Sequence, residues 1–261
     1  MSGKRQVDMN SDVGESFGVY RLGLDEEVIP HLTSANIACG FHGGDPAVMR
    51  KTLSLAKGYG VEAGAHPGFP DLIGFGRRNI DATPQEIQDY VVYQTGALMA
   101  FARSQGIKLQ HVKTHGALYN MAAANLTIMG AIAESVAKMD QELILMVLAS
   151  SQTGPLLEIG KRYGIRMAFE AFPDRAYQKD GSLVSRRMKG AVIEDHEVVA
   201  ARALKMALEG KVIAVDGTEI ELKVDTLCVH GDNPAAVQMV KRIREGLKTA
   251  GVQVTPLRNF V

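Results

Sequence analysis

The chain has few cysteines, no net charge and no long apolar segment, and each absence excludes a class of protein. Two cysteines cannot build the disulfide framework of a small secreted domain. Lysine plus arginine (29) balance aspartate plus glutamate (29), so no overall field attracts nucleic acid or an anionic membrane. The composition therefore predicts a protein with no nucleic-acid partner and no membrane partner.

Apolar segments long enough for targeting or membrane insertion are also missing. The longest apolar run, residues 143–149, is far shorter than the roughly 20 residues that a membrane helix needs. The first six residues lack the apolar stretch of a signal peptide. At 261 residues with 46% hydrophobic content, the chain predicts a soluble, cytoplasmic α/β protein with a single domain, residues 1–261.

Short motifs for metal or nucleotide binding do not occur either. Neither HExxH nor GxxxxGK[ST] is present. Residue patterns alone therefore give no warrant for nucleotide binding, and a metal site would need ligands that are distant in sequence.

What the chain does have is a regular alternation of strand-like and helix-like segments. Short apolar or small-residue runs closed by polar or glycine residues are typical of buried parallel strands. The predicted strands are residues 6–12, 35–40, 61–66, 111–115, 143–149, 166–172 and 226–231.

Helix signals lie between these strands. The sequence TPQE at 83–86 is a capping box with proline at the first helical position, which predicts a helix to about Phe101. An Asp-Pro pair at 45–46 and an Asn-Pro pair at 233–234 repeat this start. Further helices are predicted from apolar spacing in residues 117–138 and 194–208.

Repeated strand–helix units imply a parallel sheet, and the chain is long enough for that sheet to close into a barrel. A doubly wound open sheet is the competing architecture, and periodicity cannot separate the two. Asp216-Gly217 between β-rich flanks predicts one hairpin, within 212–224. Two long loops, 67–82 and 173–190, follow strand ends. Loops at such places are often lids or binding loops, and the alternative is a surface loop with no role in binding.

Polar side chains stand two residues apart at the ends of predicted strands. In an extended strand, residues i and i+2 point to the same side, so each pair aims two reactive groups in one direction. Several such ends around one barrel mouth would make an active site. The clearest pairs are Asn10/Asp12, Lys113/His115 and His230/Asp232.

Two histidines lie near glycines. Beside His42, Gly43 and Gly44 allow backbone N–H groups to approach a ligand, and the helix start at Pro46 would favour an anion there. His66 ends a strand of alanine and glycine, and these small residues leave space for a ligand beneath it.

Other candidate side chains lie on predicted strands or on the loops that follow them. If His111, Lys113 and His115 face the barrel mouth, they repel one another unless an anion or carboxylates lie between them, and the pKa of the lysine drops. Arg175 on a loop suits bidentate capture of a carboxylate or phosphate. Free cysteine is usually a small core residue, although Cys228 has the parity of an inward-facing side chain.

Metal binding is the rival interpretation. Asp12, His42 and His66, on three successive strands or the loops after them, would form an open carboxylate–histidine site of the hydrolytic kind.

Several segments together resemble the LamB/YcsF lactam-utilisation family, which is also known as the family of A-type 5-oxoprolinase subunits. Departures from the family pattern are small: Thr114 and Ser185 stand where proline is expected, and Pro173 where alanine is expected. The matching segments are NSDVGESFG at 10–18 and its preceding Met9, 35–46, 64–71, GFGRR at 74–78, 112–120, 170–177 and 229–234.

The resemblance implies a distorted seven-stranded parallel (β/α) barrel of the glycoside hydrolase/deacetylase type. It also implies hydrolysis of 5-oxo-L-proline to L-glutamate, with ATP as cosubstrate and Mg²⁺, together with two partner subunits of B and C type. On this basis we expect Asp12, with His66 or His230, to activate water, and Lys113 and the His42 loop to steady phosphate charge.

Arg175 is expected to hold the substrate carboxylate. The other expected substrate- or nucleotide-binding residues are Asn10, Asn36, His42, His115, Glu170, Asp174 and Asp232. The alternative functions are a metal-dependent deacetylase-like hydrolase and a non-catalytic binding subunit.

Overall fold

Parallel strands that are each hydrogen-bonded to the next close into a barrel in the computed structural model, which describes residues 5–229 and 234–261. In chain order the described strands are β1 (Gln6–Val13), β2 (Ser34–Ala38), β3 (Glu62–His66), β4 (His111–Lys113), β5 (Ile144–Leu148), β6 (Arg166–Ala171), β7 (Lys211–Ile213), β8 (Glu219–Glu221), β9 (Thr226–Cys228) and β10 (Gln253–Val254).

Helices cover the outside of the barrel. The described α-helices are α1 (Asp25–Val28), α2 (Pro46–Tyr59), α3 (Pro84–Ser104), α4 (Gly116–Ala124), α5 (Leu126–Met139), α6 (Thr153–Tyr163), α7 (His196–Glu209) and α8 (Pro234–Thr249). Short 3₁₀ helices occupy Ile29–His31 and Leu257–Asn259. Among the described residues, no helix is both long and apolar enough to cross a membrane.

The barrel consists of seven strands in the order β1-β2-β3-β4-β5-β6-β9, and β9 closes it by pairing with both β6 and β1. This closure confirms the predicted barrel over the open sheet. β10 pairs with the N-terminal end of β1, and β7 and β8 form the antiparallel hairpin predicted around Asp216-Gly217.

The helix caps explain where several helices begin. Asp45 accepts hydrogen bonds from the backbone N–H groups of Ala47 and Val48, and Thr83 and Glu86 form the predicted capping box. The predicted helix at 117–138 is wrong in one respect. It is two helices, because the Asn125 side chain caps a new helix after α4 ends.

A few elements differ in extent from their prediction or lack one. The seven predicted barrel strands are all present, and most of them end earlier in the chain than predicted. The helix predicted to Phe101 continues to Ser104. The sequence pattern does not predict the short α1 and β10, nor the helix α6.

Side chains alternate along β1 between two different environments. Val7 and Met9 pack into the main hydrophobic core under the helices. Asp8 and Asn10 point into the barrel, where both are fully buried. Polar side chains therefore line β1 on the side of the barrel interior, whereas Ile144, Met146 and Ala168 form a separate buried apolar cluster on β5 and β6.

Candidate active site

A cavity of about 770 Å³ opens beyond the C-terminal ends of the barrel strands. This end of a (β/α) barrel is where strand-end side chains from different strands meet. The lining includes predicted residues from three strands or their ends, together with arginines of the two long loops: Asp12, His66, Lys113, His115, Arg77, Arg78, Arg175, Arg186 and Arg187.

Asp12 lies on the cavity wall and is held by two donors. Its Oδ1 accepts from Asn36 Nδ2 at 2.8 Å and from Lys113 Nζ at 2.8 Å. Asn36 is the register partner of Asp12 on β2, so strand pairing places the amide beside the carboxylate. The Asp12 side chain remains 15% exposed, which leaves it accessible from the cavity.

His66 stands next to this carboxylate. Its Nε2 lies 3.3 Å from Asp12 Oδ2, and its Nδ1 lies 2.7 Å from the carbonyl oxygen of Lys113. A carbonyl accepts and never donates, so Nδ1 carries the proton and Nε2 of the neutral ring carries a lone pair. Asp12 Oδ2 and His66 Nε2 therefore face one another at one point of the wall.

Lys113 is buried between two carboxylates. Besides Asp12, its Nζ lies 2.9 Å from Glu170 Oε1. Burial acts to lower the pKa of Lys113, but the negative charges of Asp12 and Glu170 outweigh it, and the pKa lies well above its usual value. The predicted drop in the lysine pKa is therefore wrong, because carboxylates, not only basic groups, surround the ammonium.

Glu170 and Cys228 complete the surroundings of this lysine. Glu170 Oε2 accepts a hydrogen bond from the Tyr119 hydroxyl at 2.7 Å. Cys228 points inward, as its parity indicates, with Sγ 3.2 Å from Lys113 Nζ. Burial raises the pKa of the Cys228 thiol well above its usual value even beside the ammonium, so the structure favours a neutral thiol there.

His111 fills the layer beneath the cavity. Its Nε2 lies 2.7 Å from Asn36 Oδ1, and a Cβ on Gly64 would overlap its ring. Gly64 is the register partner of both Asn36 and His111, so the missing side chain lets the imidazole reach across β3. The prediction that the small residues beneath His66 leave space for a ligand is therefore wrong, because the His111 ring occupies that space. Burial lowers the pKa of His111 to about 3, so the ring is neutral.

Asn10 also lies below the cavity rather than on its wall. Its Oδ1 accepts from Asn36 Nδ2 at 2.7 Å, and its Nδ2 donates to Thr226 Oγ1 at 2.6 Å. Asn36 thus donates to both Asn10 and Asp12, and the predicted pair Asn10/Asp12 does share one direction. The geometry places Asn10 and Asn36 as supports that orient Asp12.

His42 is fully buried behind the cavity wall. Its ring stacks on His115 with centroids 3.6 Å apart and an interplanar angle of 1°. Burial first, and then the nearby His66, lowers the pKa of His42 well below its usual value. A Cβ on Gly76, which has φ of +62°, would lie 2.8 Å from both His42 Cβ and His115 Cδ2, so only glycine fits against this stack.

The expected anion site beside His42 is also wrong. The side chain of Asp45 already accepts the N–H groups at the start of α2. A Cβ on Gly44 would lie 2.9 Å from the carbonyl oxygen of Ala38, and one on Gly43 would lie 3.0 Å from that of Glu15. These glycines therefore allow close packing of two loops instead of phosphate binding.

Glu15 is a site residue that strand parity cannot find, because it lies in the loop after β1. Its Oε1 is 3.4 Å from His42 Nε2 and 3.6 Å from His115 Nδ1. Burial raises the pKa of Glu15. The signal that could have found it is the acidic residue three positions after Asp12 in the same glycine-containing loop.

The structure gives a different ligand set for the alternative metal site. Four residues, Glu15, His42, His66 and His115, each place a ligand atom within 4.8 Å of the others. Asp12 is not one of the four, although its Oδ2 lies 3.3 Å from His66 Nε2. The cluster shares His42 and His66 with the predicted set and contains Glu15 and His115 in place of Asp12.

Arg175 lines the cavity and also holds the loop at 173–193 in shape. Its Nη2 donates to the carbonyl oxygen of Val184 at 2.6 Å, and its Nε donates to that of Ala191 at 3.2 Å. Burial lowers the pKa of Arg175 to about 10, which leaves it charged near neutral pH. Asp174 is buried next to it.

The predicted site residues His230 and Asp232 lie outside the described residues.

The fold and the site define a (β/α)₇-barrel protein with carboxylates and histidines gathered at the C-terminal mouth. The profile of the LamB/YcsF family matches residues 7–261, and the chain belongs to this family.

Relatives and solved structures agree with this assignment. The chain is 52% identical to the A-type 5-oxoprolinase subunit of Pyrococcus abyssi over 98% of this chain and 99% of that protein. It is also 52% identical to the A-type 5-oxoprolinase subunit of Clostridium beijerinckii, over the same shares of both chains.

A lactam utilization protein from Thermus thermophilus superposes with a TM-score of 0.88 at 47% identity, covering 96% of this chain and 99% of that one. A putative cellobiose-phosphate cleavage protein from Enterococcus faecalis gives 0.64 at 14% identity, over 99% and 100% of the two chains. That second likeness shows the fold alone.

Proposed function

We propose that this chain is the ring-opening subunit of an ATP-dependent 5-oxoprolinase, which converts 5-oxo-L-proline to L-glutamate together with two partner subunits. The names of the relatives, which are 5-oxoprolinase subunits, support both the reaction class and a complex of several chains. The observation that carries the proposal is the oriented Asp12 carboxylate beside His66 on the wall of a cavity large enough for a small substrate.

The reaction needs an activated electrophile. A five-membered lactam is a stabilised amide, and water attacks it slowly. Transfer of the γ-phosphoryl group of Mg²⁺·ATP to the lactam oxygen releases ADP, and loss of the lactam N–H proton to solvent gives an O-phosphorylated imidate. Its ring carbon is then a much better target for water.

Asp12 supplies the base for that attack. With Oδ1 fixed by Asn36 and Lys113, the Oδ2 atom is directed toward His66 and can accept a proton from water as the oxygen adds to the ring carbon. The resulting tetrahedral carbon bears a hydroxyl, a phosphate and the ring nitrogen.

Ring opening requires that the nitrogen leaves before the phosphate does, because loss of phosphate only regenerates the lactam. A proton delivered to the nitrogen makes it the better leaving group. The proton that Asp12 takes from water can serve this step. As the C–N bond breaks, Asp12 takes the proton of the hydroxyl and passes it to the leaving nitrogen, which gives an acyl phosphate and a free amine. A second water then hydrolyses the acyl phosphate to glutamate and phosphate.

Positive charge around the cavity supports binding of an anionic intermediate. Arg77, Arg175 and Arg186 all lie on its wall. Arginine binds carboxylate and phosphate groups through paired N–H donors. The substrate carboxylate and the phosphoryl group together carry the negative charge that these residues match.

The test is reconstitution. The chain is combined with its two partner subunits, and glutamate and ADP are measured from 5-oxoproline and ATP, with each component omitted in turn. Glutamate formation is expected only when this chain is present.

Asp12→Asn is expected to abolish glutamate formation while the circular dichroism spectrum is unchanged. The matched control is Asp216→Asn in the exposed hairpin turn, which should retain full activity. Equal turnover by Asp12→Asn and the wild-type chain would overturn the assignment of the base.

A further inference from the structure

Two imidazole nitrogens face one another at the cavity wall, and in the neutral rings neither of these two nitrogens carries a proton. His66 Nε2 lies 2.9 Å from His115 Nδ1. The proton of neutral His66 is on Nδ1, which donates to the carbonyl oxygen of Lys113 at 2.7 Å. The proton of neutral His115 is on Nε2, because that atom lies 2.9 Å from the carbonyl oxygen of Phe75.

Both facing nitrogens therefore present lone pairs. Two lone pairs at hydrogen-bond distance repel each other, and a cation between them removes the repulsion. The arrangement needs either an extra proton or a bound metal ion.

A carboxylate oxygen points at the same place. Glu15 Oε1 lies 3.6 Å from His115 Nδ1. This oxygen is buried and finds no hydrogen-bond donor within residues 5–229 and 234–261. A buried carboxylate oxygen without a donor is costly, and a metal ion would satisfy it.

We propose that His66 Nε2, His115 Nδ1 and Glu15 Oε1 bind one divalent transition metal ion of the zinc class. Ligand bonds of about 2.0–2.2 Å place tetrahedral donor atoms roughly 3.4 Å apart. The observed separations of 2.9 and 3.6 Å lie on either side of that value. Two histidines and one carboxylate form the ligand set of catalytic zinc sites, which keep an open position.

His42 is assigned a supporting role in this site. Its ring is parallel to that of His115, with an interplanar angle of 1° and centroids 3.6 Å apart. The lone pair of each imidazole lies in its own ring plane, so one ion cannot lie in both planes. His42 therefore packs against His115 and fixes the orientation of that ligand.

The contacts behind the ligands also fit a metal site. Metal-binding histidines usually donate their second N–H to a carbonyl or carboxylate, which fixes the tautomer. Both His66 and His115 do so. The acceptor for His115 belongs to Phe75, a non-glycine residue with φ of +52°, a backbone conformation that is costly for such residues.

The open position of the ion faces the substrate space, because His66 and His115 both line the cavity. The ion would polarise an oxygen bound there, next to Asp12. Metal binding itself is measured without turnover, so this inference stands or fails separately from the proposed function.

The test uses the full-length chain, stripped with a chelator and dialysed. Zn²⁺ and Co²⁺ are then added, and bound metal is counted by elemental analysis after equilibrium dialysis. One ion per chain is expected, with the strong visible absorption of Co²⁺ in a four- or five-coordinate site.

Glu15→Gln and His115→Gln are each expected to weaken binding at least 100-fold, since even supporting residues behind a ligand change affinity by about 10–100-fold. The matched control is His31→Gln, which lies outside the cavity and should bind metal like the wild-type chain. If His115→Gln fails to fold, Glu15→Gln decides, because its side chain is partly exposed and keeps its size.

Two outcomes would overturn the proposal. One is a wild-type chain that binds neither ion in equilibrium dialysis, which would leave a shared proton between His66 and His115. The other is unchanged affinity in Glu15→Gln and His115→Gln.

Discussion

Lys113 Nζ lies 2.8 Å from Asp12 Oδ1, although the two residues are 101 positions apart in the chain. The same ammonium contacts Glu170 at 2.9 Å, so a single cation compensates two carboxylates at the base of the cavity. Lys113 and Glu170 are buried, whereas Asp12 keeps one edge open to the cavity. The lysine therefore orients the Asp12 carboxylate and also offsets the cost of burying negative charge.

Replacing this lysine is expected to be strongly destabilising. Lys113→Met keeps most of the side-chain volume but leaves buried carboxylates without a counter-charge, which costs about 3–5 kcal/mol of unfolding free energy. Urea denaturation followed by circular dichroism measures this loss. The double variant Lys113→Met/Glu170→Gln should recover part of it, because one uncompensated charge is gone. A double variant as unstable as the single one would contradict the charge-pairing account.

Strand parity predicts much of this site but not its depth or its partners. Asp12, Lys113 and Glu170 fall on inward-facing positions because a strand alternates its side chains. Parity cannot tell which layer of the barrel a side chain occupies, so it groups His111 with the cavity although that ring lies beneath it. Loops have no such alternation, and for that reason parity misses Glu15.

Local sequence patterns predict where helices begin, but they do not predict how the barrel closes. Caps and proline positions at 45–46 and 83–86 mark helix starts through local hydrogen bonds, which sequence reveals directly. Barrel closure depends on the pairing of β9 with β1, a contact between residues more than 200 positions apart, such as Asn10 and Cys228. No local pattern carries that information, whereas the family resemblance does.

Gly64 is expected to be a position where alanine is not tolerated. A Cβ there would overlap the His111 ring, so Gly64→Ala forces the imidazole away from Asn36 and costs about 1–3 kcal/mol. The same substitution at Gly58 in α2, where a Cβ meets nothing within 4 Å, should stabilise the chain by about 0.5–1 kcal/mol. Thermal unfolding of the two variants measures both effects. A stabilising Gly64→Ala would show that His111 is not packed over this glycine.

The pH dependence of stability should contain a contribution from Asp8. Its carboxylate accepts hydroxyl hydrogen bonds from Thr33, Ser34 and Thr226, yet burial raises its pKa from 3.8 to about 6. Between these values the unfolded chain loses the proton while the folded chain keeps it. The folded state therefore binds more protons, and stability falls as pH rises through this window, by about 3 kcal/mol in total.

Asp8→Asn removes that contribution. The free energy of unfolding of the variant, relative to wild type, should rise by about 3 kcal/mol between pH 4 and pH 7. Urea denaturation at several pH values measures the difference. Asp89→Asn on the exposed face of α3 is the control and should leave the pH profile unchanged. A variant whose profile runs parallel to that of wild type would contradict the raised pKa.

Arg175 is expected to act on substrate affinity mainly through the loop it holds. Its guanidinium donates to the carbonyl oxygens of Val184 and Ala191, and both acceptors lie on the loop that forms one side of the cavity. Arg175→Lys keeps the charge but loses the fixed geometry of these donors, so the loop should loosen. Hydrogen exchange of the amides in 176–192 should become faster, and KM for 5-oxoproline in the reconstituted complex should rise about tenfold, equivalent to about 1.4 kcal/mol of lost binding.

Arg187→Lys, exposed on the same loop, is the matched control for exchange. A higher KM with unchanged exchange would instead indicate that Arg175 contacts the substrate directly, as the position of its side chain on the cavity wall also allows.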